Sequence, residues 1–489
     1  MSHLRSALSV VLALALGACA TPPAENADAA LARAAQAMGA GQLETLRYVG
    51  EGSGYTFGQA YTPGGAWPRI TLHSVTRSID YVSASMRDEI VLSRAEPKGG
   101  GGYPISGQQR NDQFVSGELA WNQTGPAASP TATPDPRFVL ARQHQLWITP
   151  HGAIKAALRQ RGTASRGADG STTVVFEQAG RLRAAIVIDP AGLVSRVDST
   201  FPDPVLGDAA VVTGYADYRD AGGGVMVPMR VRQTMGGYPV LDLTLKEVQV
   251  NPALTIVVPE AARNQAERVT TDKVADGVWF IGGGSHNSVA IEQSDHMVLV
   301  ETPLNYARSQ AVIDQVKQLV PGKPIRFVVN SHAHFDHAGG VRAAVAEGAT
   351  IVTQAANAAY FERALAPSNT LRPDRLAQSG RKAMLRAVGD RLDLTDPARP
   401  IELHRIKDSV HGESFLMVYL PREKLLIEAD AYTPAAPGTP PPSPANPNNL
   451  NLIDNIERLK LAVDRILPLH GRVVPVAELY TAGGRMPAR

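Results

Sequence analysis

A histidine-rich motif in the second half of the chain is the strongest chemical signal in this sequence. Three of the twelve histidines fall within six residues, in the pattern His332, His334, Asp336 and His337. Side chains two residues apart in an extended segment point to the same side, so His332 and His334 can bind one cation together. Asp336 and His337 follow where the chain tightens towards a helix, and they can face a second cation. The motif therefore predicts a metal site.

The elements that must position this motif can be recognised in the sequence around it. The apolar run at residues 325–330 (IRFVVN) predicts a strand that ends directly before the histidines. Strands predicted at residues 278–281, 288–291, 296–300 and 350–353 alternate with helices at 308–320 and 339–347. This alternation is typical of an α/β fold, and we expect it to form one domain over residues 269–489.

A motif of this kind after a buried strand resembles the signature of the metallo-β-lactamase superfamily, over roughly residues 269–489. The resemblance implies an αββα sandwich, two metal ions and three further ligands at strand ends. His411 precedes the apolar run 415–420, Asp430 follows the run 425–429, and His470 is followed by a glycine. The implied ligand set is His332, His334 and His411 for the first metal, Asp336, His337 and His470 for the second, and Asp430 as a bridge between them.

The resemblance also implies the chemistry, with Asp336 and Asp430 as the catalytic carboxylates. Two Zn²⁺ ions are the expected cofactors, and iron or manganese also suits imidazole and carboxylate ligands. A hydroxide bridging the two metals would attack the ester, lactone, thioester or amide carbonyl of a small molecule. In this superfamily the β-lactamases lack or replace the bridging aspartate, so Asp430 argues against a dedicated β-lactamase.

Three other residues are candidates for supporting roles. Glu301 stands where the family usually has an aspartate that buttresses the ligand loop, although an ordinary carboxylate at a strand end is an equal alternative. Tyr432 lies shortly after Asp430 and is a candidate substrate contact, and packing at the strand end explains it as well. His286 lies on a glycine-rich turn and is a second candidate contact, with a plain hairpin turn as the alternative.

Two other functions remain open. A phosphoric or sulfuric ester hydrolase would use the same two metals, and it should place Arg308, Arg372 or Arg405 near them. A carrier lipoprotein for lipids or acyl chains would need an apolar cavity in the amino-terminal half, and its metal domain would be secondary.

The amino terminus predicts export. A positive Arg5 precedes the apolar residues 7–16, a pattern that indicates a signal peptide over residues 1–18. Cys19 follows in the segment LGAC, which resembles the lipobox of bacterial lipoproteins, where the cysteine is lipidated. A plain signal peptide is the alternative. We expect a periplasmic protein held on the bacterial membrane by its lipid anchor.

The residues between this leader and the metal domain predict a tether and helix over residues 19–43, an antiparallel β-rich domain over 44–251 and a linker over 252–268. The stretch 211–251 resembles the carrier domain of lipoprotein-sorting proteins. Three residue groups are not expected to be ligands. His73, His144 and His151 lack ligand spacing and are expected to be surface or structural residues, and His404 is expected to be a partly exposed filler in a strand. Trp67, Trp121 and Trp147 are expected to pack in the core of the β-rich domain.

Composition limits the possible partners. The 489 residues are enough for two or three domains. Lys and Arg total 48 against 46 Asp and Glu, and this formal charge of +2 leaves no basic field for a nucleic acid. The sequence does not predict an oligomeric state.

The insertion at residues 361–391 and the proline-rich segment 434–448 both emerge between ligand motifs, and we expect them to wall the metal site.

Overall fold

The computed structural model describes residues 24–100, 107–126, 129–264, 266–366 and 369–486. The predicted signal peptide over residues 1–18 and the predicted lipidation site Cys19 lie outside this part of the chain. Within it, the strands form three sheets of 14, 7 and 6 strands. No described helix is both long and apolar enough to cross a membrane.

The amino-terminal half forms the 14-stranded sheet, in which every pairing is antiparallel. Its strand order is β1-β8-β9-β10-β11-β12-β13-β14-β2-β3-β4-β5-β6-β7. The strands are β1 (Ala24–Glu25), β2 (Thr45–Tyr55), β3 (Arg69–Asp80), β4 (Ser85–Arg94), β5 (Gln109–Ser116), β6 (Leu119–Thr124), β7 (Thr131–Pro134), β8 (Thr163–Arg166), β9 (Thr172–Gln178), β10 (Leu182–Ile188), β11 (Val194–Asp203), β12 (Gly207–Asp220), β13 (Met226–Met235) and β14 (Tyr238–Val250).

Alternating side chains explain how this sheet buries one face. In β10 every second residue from Leu182 to Ile188 is buried, as expected for a strand with a packed face and an outer face. Three helices cover the packed face: α1 (Ala27–Ala37), α2 (Val139–Trp147) and α3 (Pro150–Leu158). Leu31 of α1 and Ile154 of α3 join Ile186 of the sheet in one apolar cluster. The helix predicted in the 19–43 segment is therefore part of this core.

The carboxy-terminal half contains the two smaller sheets. The seven-stranded sheet consists of β15 (Thr270–Ala275), β16 (Val278–Gly282), β17 (Ser288–Glu292), β18 (Met297–Val300), β19 (Ile325–Val329), β20 (Thr350–Gln354) and β21 (Met384–Val388). The six-stranded sheet consists of β22 (Arg391–Leu394), β23 (Ile401–Arg405), β24 (Leu416–Leu420), β25 (Leu425–Glu428), β26 (Arg465–Pro468) and β27 (Val474–Pro475).

Seven helices accompany these sheets: α4 (Tyr306–Leu319), α5 (Phe335–Ala338), α6 (Val341–Glu347), α7 (Ala355–Ala364), α8 (Arg375–Ser379), α9 (Pro447–Leu459) and α10 (Val476–Ala482). One apolar cluster unites residues of both sheets with α9 and α10. A second cluster packs α4, α6 and α7 against the seven-stranded sheet. Helix α4 begins where the Asn305 side chain accepts the Arg308 backbone N–H, and α6 ends at Gly348 in the left-handed region.

Two parallel strand pairs bring the predicted ligands to one place. In the pair β18 and β19, Val300 lies opposite Val329, so Glu301 and the histidine motif leave the sheet at the same edge. In the pair β25 and β26, Glu428 lies opposite Pro468. Asp430 and His470 each follow two residues later, and this register places them side by side.

Candidate metal centre

The first group of ligand atoms comes from three loops. His332 and His334 follow β19, His411 lies in the turn before β24, and Asp430 follows β25. The four ligand atoms lie within 4.8 Å of one another. His332 Nε2 is 2.8 Å from His334 Nδ1 and 3.2 Å from His411 Nε2. Asp430 Oδ2 lies 3.1 Å from the Nε2 atoms of His332 and His411.

The second group contains Asp336, His337 and His470, and the structure adds His286 to it. His286 Nε2 lies 3.2 Å from Asp336 Oδ2, and its ring is 4.1 Å from that of His470. Asp430 reaches this group as well, because its Oδ2 is 2.8 Å from His337 Nε2 and its Oδ1 is 2.8 Å from His470 Nε2. The seven predicted ligands therefore lie together, with Asp430 between the two groups.

The protonation states of the first group suit metal binding. Burial lowers the pKa of His332 to about 3 and holds the pKa of His334 well below its usual value, so both imidazoles are neutral. Burial raises the pKa of Asp430, but His337 and the other histidines outweigh it and hold this pKa well below the usual range. Neutral imidazoles and ionised carboxylates are the forms that bind cations.

Two histidines of the second group, His337 and His470, have raised pKa values, whereas burial lowers the pKa of His286 to about 4. Burial lowers the pKa of His337 and of His470, but the Asp430 carboxylate outweighs it and raises both above the usual value. Burial raises the pKa of Asp336, and His337 and His286 more than offset it. Six imidazoles and two carboxylates converge here, and such a cluster is costly to bury unless charge is paired. The donor set therefore fits two divalent cations.

Two of the ligand histidines, His332 and His470, have a partner for the ring nitrogen that faces away from the cluster. His332 Nδ1 is 2.9 Å from Ser331 Oγ, and His470 Nδ1 is 3.0 Å from the Ser285 carbonyl oxygen. Partners of this kind hold a metal-ligating imidazole in one orientation and one tautomer.

Glu301 lies behind the ligand loop, fully buried and with a left-handed φ of 70°. Its Oε1 accepts the Ser331 backbone N–H at 2.5 Å, and its Oε2 lies 3.5 Å from His337 Nδ1. This position supports the buttress that the sequence predicts over an ordinary carboxylate at a strand end.

Two supporting residues were missed by the sequence analysis. The buried Glu428 accepts the backbone N–H groups of Ala431 and Tyr432 at 3.0 Å, so it shapes the turn that carries Asp430. Burial raises its pKa well above the usual range. An acidic residue inside the apolar run 425–429 was the available signal. The other is Gln59 of the amino-terminal half, whose side-chain amide donates to Asp336 Oδ1 at 2.7 Å, and nothing in its local sequence indicates this role.

An open cleft of about 1150 Å³ leads to the ligands, and His411, Asp430 and His470 are among its lining residues. Tyr432 and the proline-rich segment also line it. The prediction for the insertion at 361–391 was wrong: none of its described residues lines this cleft. The insertion contains α8 and β21, and Thr370 binds Asp208 of the amino-terminal sheet instead.

Other candidate residues lie away from the cleft. Arg308 is buried and donates to the Arg268 and His286 carbonyls, Arg372 lines a different cleft, and Arg405 donates to the Glu413 carbonyl. A third His/Asp cluster, at Asp295, His296 and Asp396, lies on surface turns where Asp295 pairs with Arg326.

The residues that were not expected to be ligands lie outside the two ligand groups. His144 and His151 are buried and His73 is exposed. The prediction that His404 is partly exposed was wrong, because the side chain is buried against Glu402. Trp121 and Trp147 pack in the amino-terminal half. Trp67 lies between the two halves, because it stacks on Tyr238 of β14 and packs in the apolar cluster of the seven-stranded sheet.

Residues 281–470 match the family described as "Metallo-beta-lactamase superfamily". A metallo-beta-lactamase from Pontibacter korlensis is similar at 15% identity and a TM-score of 0.35, covering 44% of this chain and 98% of that chain. The metallo-beta-lactamase FIM-1 from Pseudomonas aeruginosa, in its mono-zinc form, has 20% identity and a TM-score of 0.34, covering 44% of this chain and 93% of that chain. No curated protein matches the chain. From the family match, residues 281–470 form a domain of the metallo-β-lactamase superfamily.

Proposed function

We propose that this protein is an exported, dinuclear metal-dependent hydrolase that acts on an ester, lactone, thioester or amide carbonyl. The observation that carries the proposal is the position of Asp430, which contacts both groups of ligand atoms on the lining of an open cleft. The helices packed on both layers support the αββα arrangement for the metal domain.

In this proposal His332, His334 and His411 hold the first cation, Asp336, His337 and His470 hold the second, and Asp430 serves both. Zinc is the first candidate, with iron and manganese as alternatives. When bound, two such cations polarise a substrate oxygen and acidify a water molecule. We assign His286 to the second cation rather than to the substrate, because its Nε2 lies among the ligand atoms and its side chain does not line the cleft.

The cleft favours a neutral carbonyl substrate over a phosphoric or sulfuric ester. Prolines, alanines and Tyr432 form much of its wall. Arg472 also lines it, but its guanidinium is paired with Glu478 at 2.6 Å. The arginines that the ester alternative requires, Arg308, Arg372 and Arg405, are not among the lining residues. Arginine or lysine side chains commonly stabilise a transferred phosphoryl group in addition to the metals.

The carrier alternative receives less support. A cavity between the amino-terminal sheet and α3 measures about 40 Å³, which is room for a few water molecules and not for an acyl chain. A larger cleft of about 860 Å³ has a mixed lining, in which Arg137, Gln143 and Arg159 interrupt apolar side chains such as Leu140 and Trp147. An acyl chain prefers an apolar cavity.

Export and anchoring are part of the proposal and are supported by the sequence pattern of residues 1–18 and Cys19. Two or more acyl chains on Cys19 would keep the enzyme on a bacterial membrane facing the periplasm. Incorporation of a labelled fatty acid at Cys19 tests this.

The test of the function combines metal content with a hydrolysis panel of a lactone, an aryl ester, a thioester, a phosphodiester and a β-lactam. We expect about two metals per chain and turnover of a carbonyl substrate, both reduced in Asp430→Asn. Asp396→Asn is the matched control, because Asp396 belongs to the surface cluster. Turnover of the phosphodiester alone would favour the ester alternative, and a protein without metal would contradict the assignment.

A further inference from the structure

The amino-terminal sheet reaches the metal centre through one loop. Residues 56–68, here called the strap, connect β2 and β3 and lie on the histidine motif. The Gly58 carbonyl accepts the Phe335 backbone N–H at 3.2 Å. The Ala60 carbonyl lies 3.0 Å from His334 Nε2, and the Gln59 amide donates to Asp336 Oδ1 at 2.7 Å. Three consecutive residues of the strap thus contact three consecutive residues of the motif.

An aromatic cluster fixes this contact. Phe335, between the ligands His334 and Asp336, packs edge-on against Phe57 at 5.3 Å and Trp67 at 5.8 Å. Trp67 in turn stacks on Tyr238 of β14 at 4.5 Å. Gly58 has a φ of 68°, and a Cβ there would lie 2.2 Å from the Phe335 ring. Only glycine fits this close approach.

A second set of contacts holds the turn that carries His411. The Glu413 backbone N–H donates to the Tyr61 carbonyl at 2.9 Å, and the Tyr61 hydroxyl donates to the Ser409 carbonyl at 3.0 Å. Thr62 Oγ1 donates to Glu413 Oε2 at 2.9 Å. The strap therefore touches two of the three loops that supply the first group of ligands.

The contacts engage the atoms of each ligand that face away from its group. His334 Nδ1 faces His332, and its Nε2 is left to donate to the Ala60 carbonyl, which selects the tautomer with a free Nδ1. Asp336 presents Oδ2 to His286, while Gln59 holds its Oδ1. Hydrogen bonds of this kind orient metal ligands and raise metal affinity.

We propose that the strap completes the metal centre, with Gln59 as the positioning residue of Asp336 and the Ala60 carbonyl as the positioning group of His334. The inference rests on the proposed function, because it requires that these two side chains bind metal. It also gives the amino-terminal sheet a role in the chemistry: the sheet holds the strap, and the strap holds the ligands.

The test removes the Gln59 amide while keeping its size. In Gln59→Met we expect the Zn²⁺ affinity of the second ligand group, which contains Asp336, to fall about 10-fold to 100-fold. This affinity is measured by chelator competition on the full protein. The visible spectrum of the Co²⁺-loaded protein should change, because the geometry around Asp336 changes. The melting temperature of the metal-free protein should stay close to that of the wild type, because Gln59 lies in a loop.

Thr56→Val is the matched control, since Thr56 belongs to the same strap but makes its hydrogen bond to the Pro68 carbonyl through its backbone; its Zn²⁺ affinity and Co²⁺ spectrum should match the wild type. Gly100→Ala crowds the strap and the motif together, because a Cβ there would lie 1.9 Å from Gln59 Oε1 and 2.6 Å from His334 Cε1, and it should weaken Zn²⁺ binding at least as much as Gln59→Met does. Two metals with unchanged affinity and spectrum in Gln59→Met overturn this inference alone. A wild type that binds no Zn²⁺ overturns the proposed function together with it.

Discussion

Glu301 shows how one buried carboxylate can hold two parts of a metal centre. It sits at the end of β18 with a left-handed φ of 70°, a conformation that costs about 1 kcal/mol for a residue with a side chain. The same backbone turn aims one oxygen at the Ser331 N–H and the other at His337. The strain persists because the buried surroundings fix this residue, and such strain is common at functional sites.

The substitution Glu301→Gln tests this role. The amide oxygen can still accept the Ser331 N–H, but the negative charge facing His337 is lost. We expect metal affinity of the second group to fall about 10-fold to 100-fold, measured by chelator competition. Glu292→Gln is the control, because Glu292 also ends a strand but pairs with Lys323 at the surface. Equal affinities in the wild type and Glu301→Gln would mean that Glu301 is an ordinary carboxylate at a strand end.

The sequence indicates ligands where the chemistry is local and misses groups that the fold brings from far away. His332, His334, Asp336 and His337 stand within six residues, so their spacing alone suggests a chelate. Gln59 lies 277 residues from Asp336 along the chain. A single glutamine in a loop carries no signal until a strand register and an interdomain contact are known. His286 was found, but its position beside Asp336 was not.

At the scale of elements, the strands of the metal domain follow from runs of apolar residues, because buried strands need nearly continuous apolar side chains. The positions that loops take in the fold cannot be predicted from such patterns. The segments 361–391 and 434–448 both emerge between ligand motifs, yet only the second lines the cleft. Arg342 binds Asp374, and Asp208 binds Thr370, and these contacts hold the first segment away from the ligands.

The proline-rich segment should act as a preformed wall. Pro440, Pro441 and Pro442 line the cleft, and each proline restricts the backbone before a substrate binds. Replacing all three by glycine adds about 0.4–1 kcal/mol of ordering cost per residue. Since the three costs together come to about 1–3 kcal/mol, we expect KM for a substrate with a bulky apolar acyl group to rise about 10-fold to 100-fold, with kcat for a small aryl ester unchanged.

Steady-state kinetics with both substrates, together with metal content, tests this wall. The control is Pro190→Gly, in the turn between β10 and β11 of the amino-terminal sheet. An unchanged KM for the bulky substrate would show that the wall does not contact it. A loss of metal would show that the segment supports the ligands instead.

At the scale of the whole molecule, the amino-terminal sheet has to stay folded for the strap to hold its place, so the stability of this sheet bears on the metal centre. Its core contains a buried histidine: His144 of α2 lies 3.0 Å from Ser199 Oγ of β11. Burial lowers the pKa of His144 to about 4, whereas an unfolded histidine titrates near 6.5. Between these values the unfolded chain binds the proton and the folded chain does not.

Above about pH 6.5 His144 is neutral in both the folded and the unfolded chain, so it does not change the free energy of unfolding. This free energy falls as the pH drops from about 6.5 to about 4, because only the unfolded chain then binds the proton. Between pH 7.5 and pH 4.5 this one residue should lower the free energy of unfolding by about 2–3 kcal/mol. In His144→Gln the amide can still bind Ser199 but does not titrate, so its denaturation midpoint should fall less over the same range.

His73→Gln is the matched control, because His73 Nε2 also lies 2.8 Å from a serine hydroxyl, that of Ser93, but the side chain is exposed. Urea denaturation of all three proteins with a chelator present makes the comparison independent of bound metal, and the ligand histidines then contribute equally to each. The wild type and His73→Gln should lose stability in parallel as the pH falls, and His144→Gln should lose less. If all three curves coincide, acid destabilises the protein through other groups, and the link between pH and the strap would have to be sought at the metal ligands themselves.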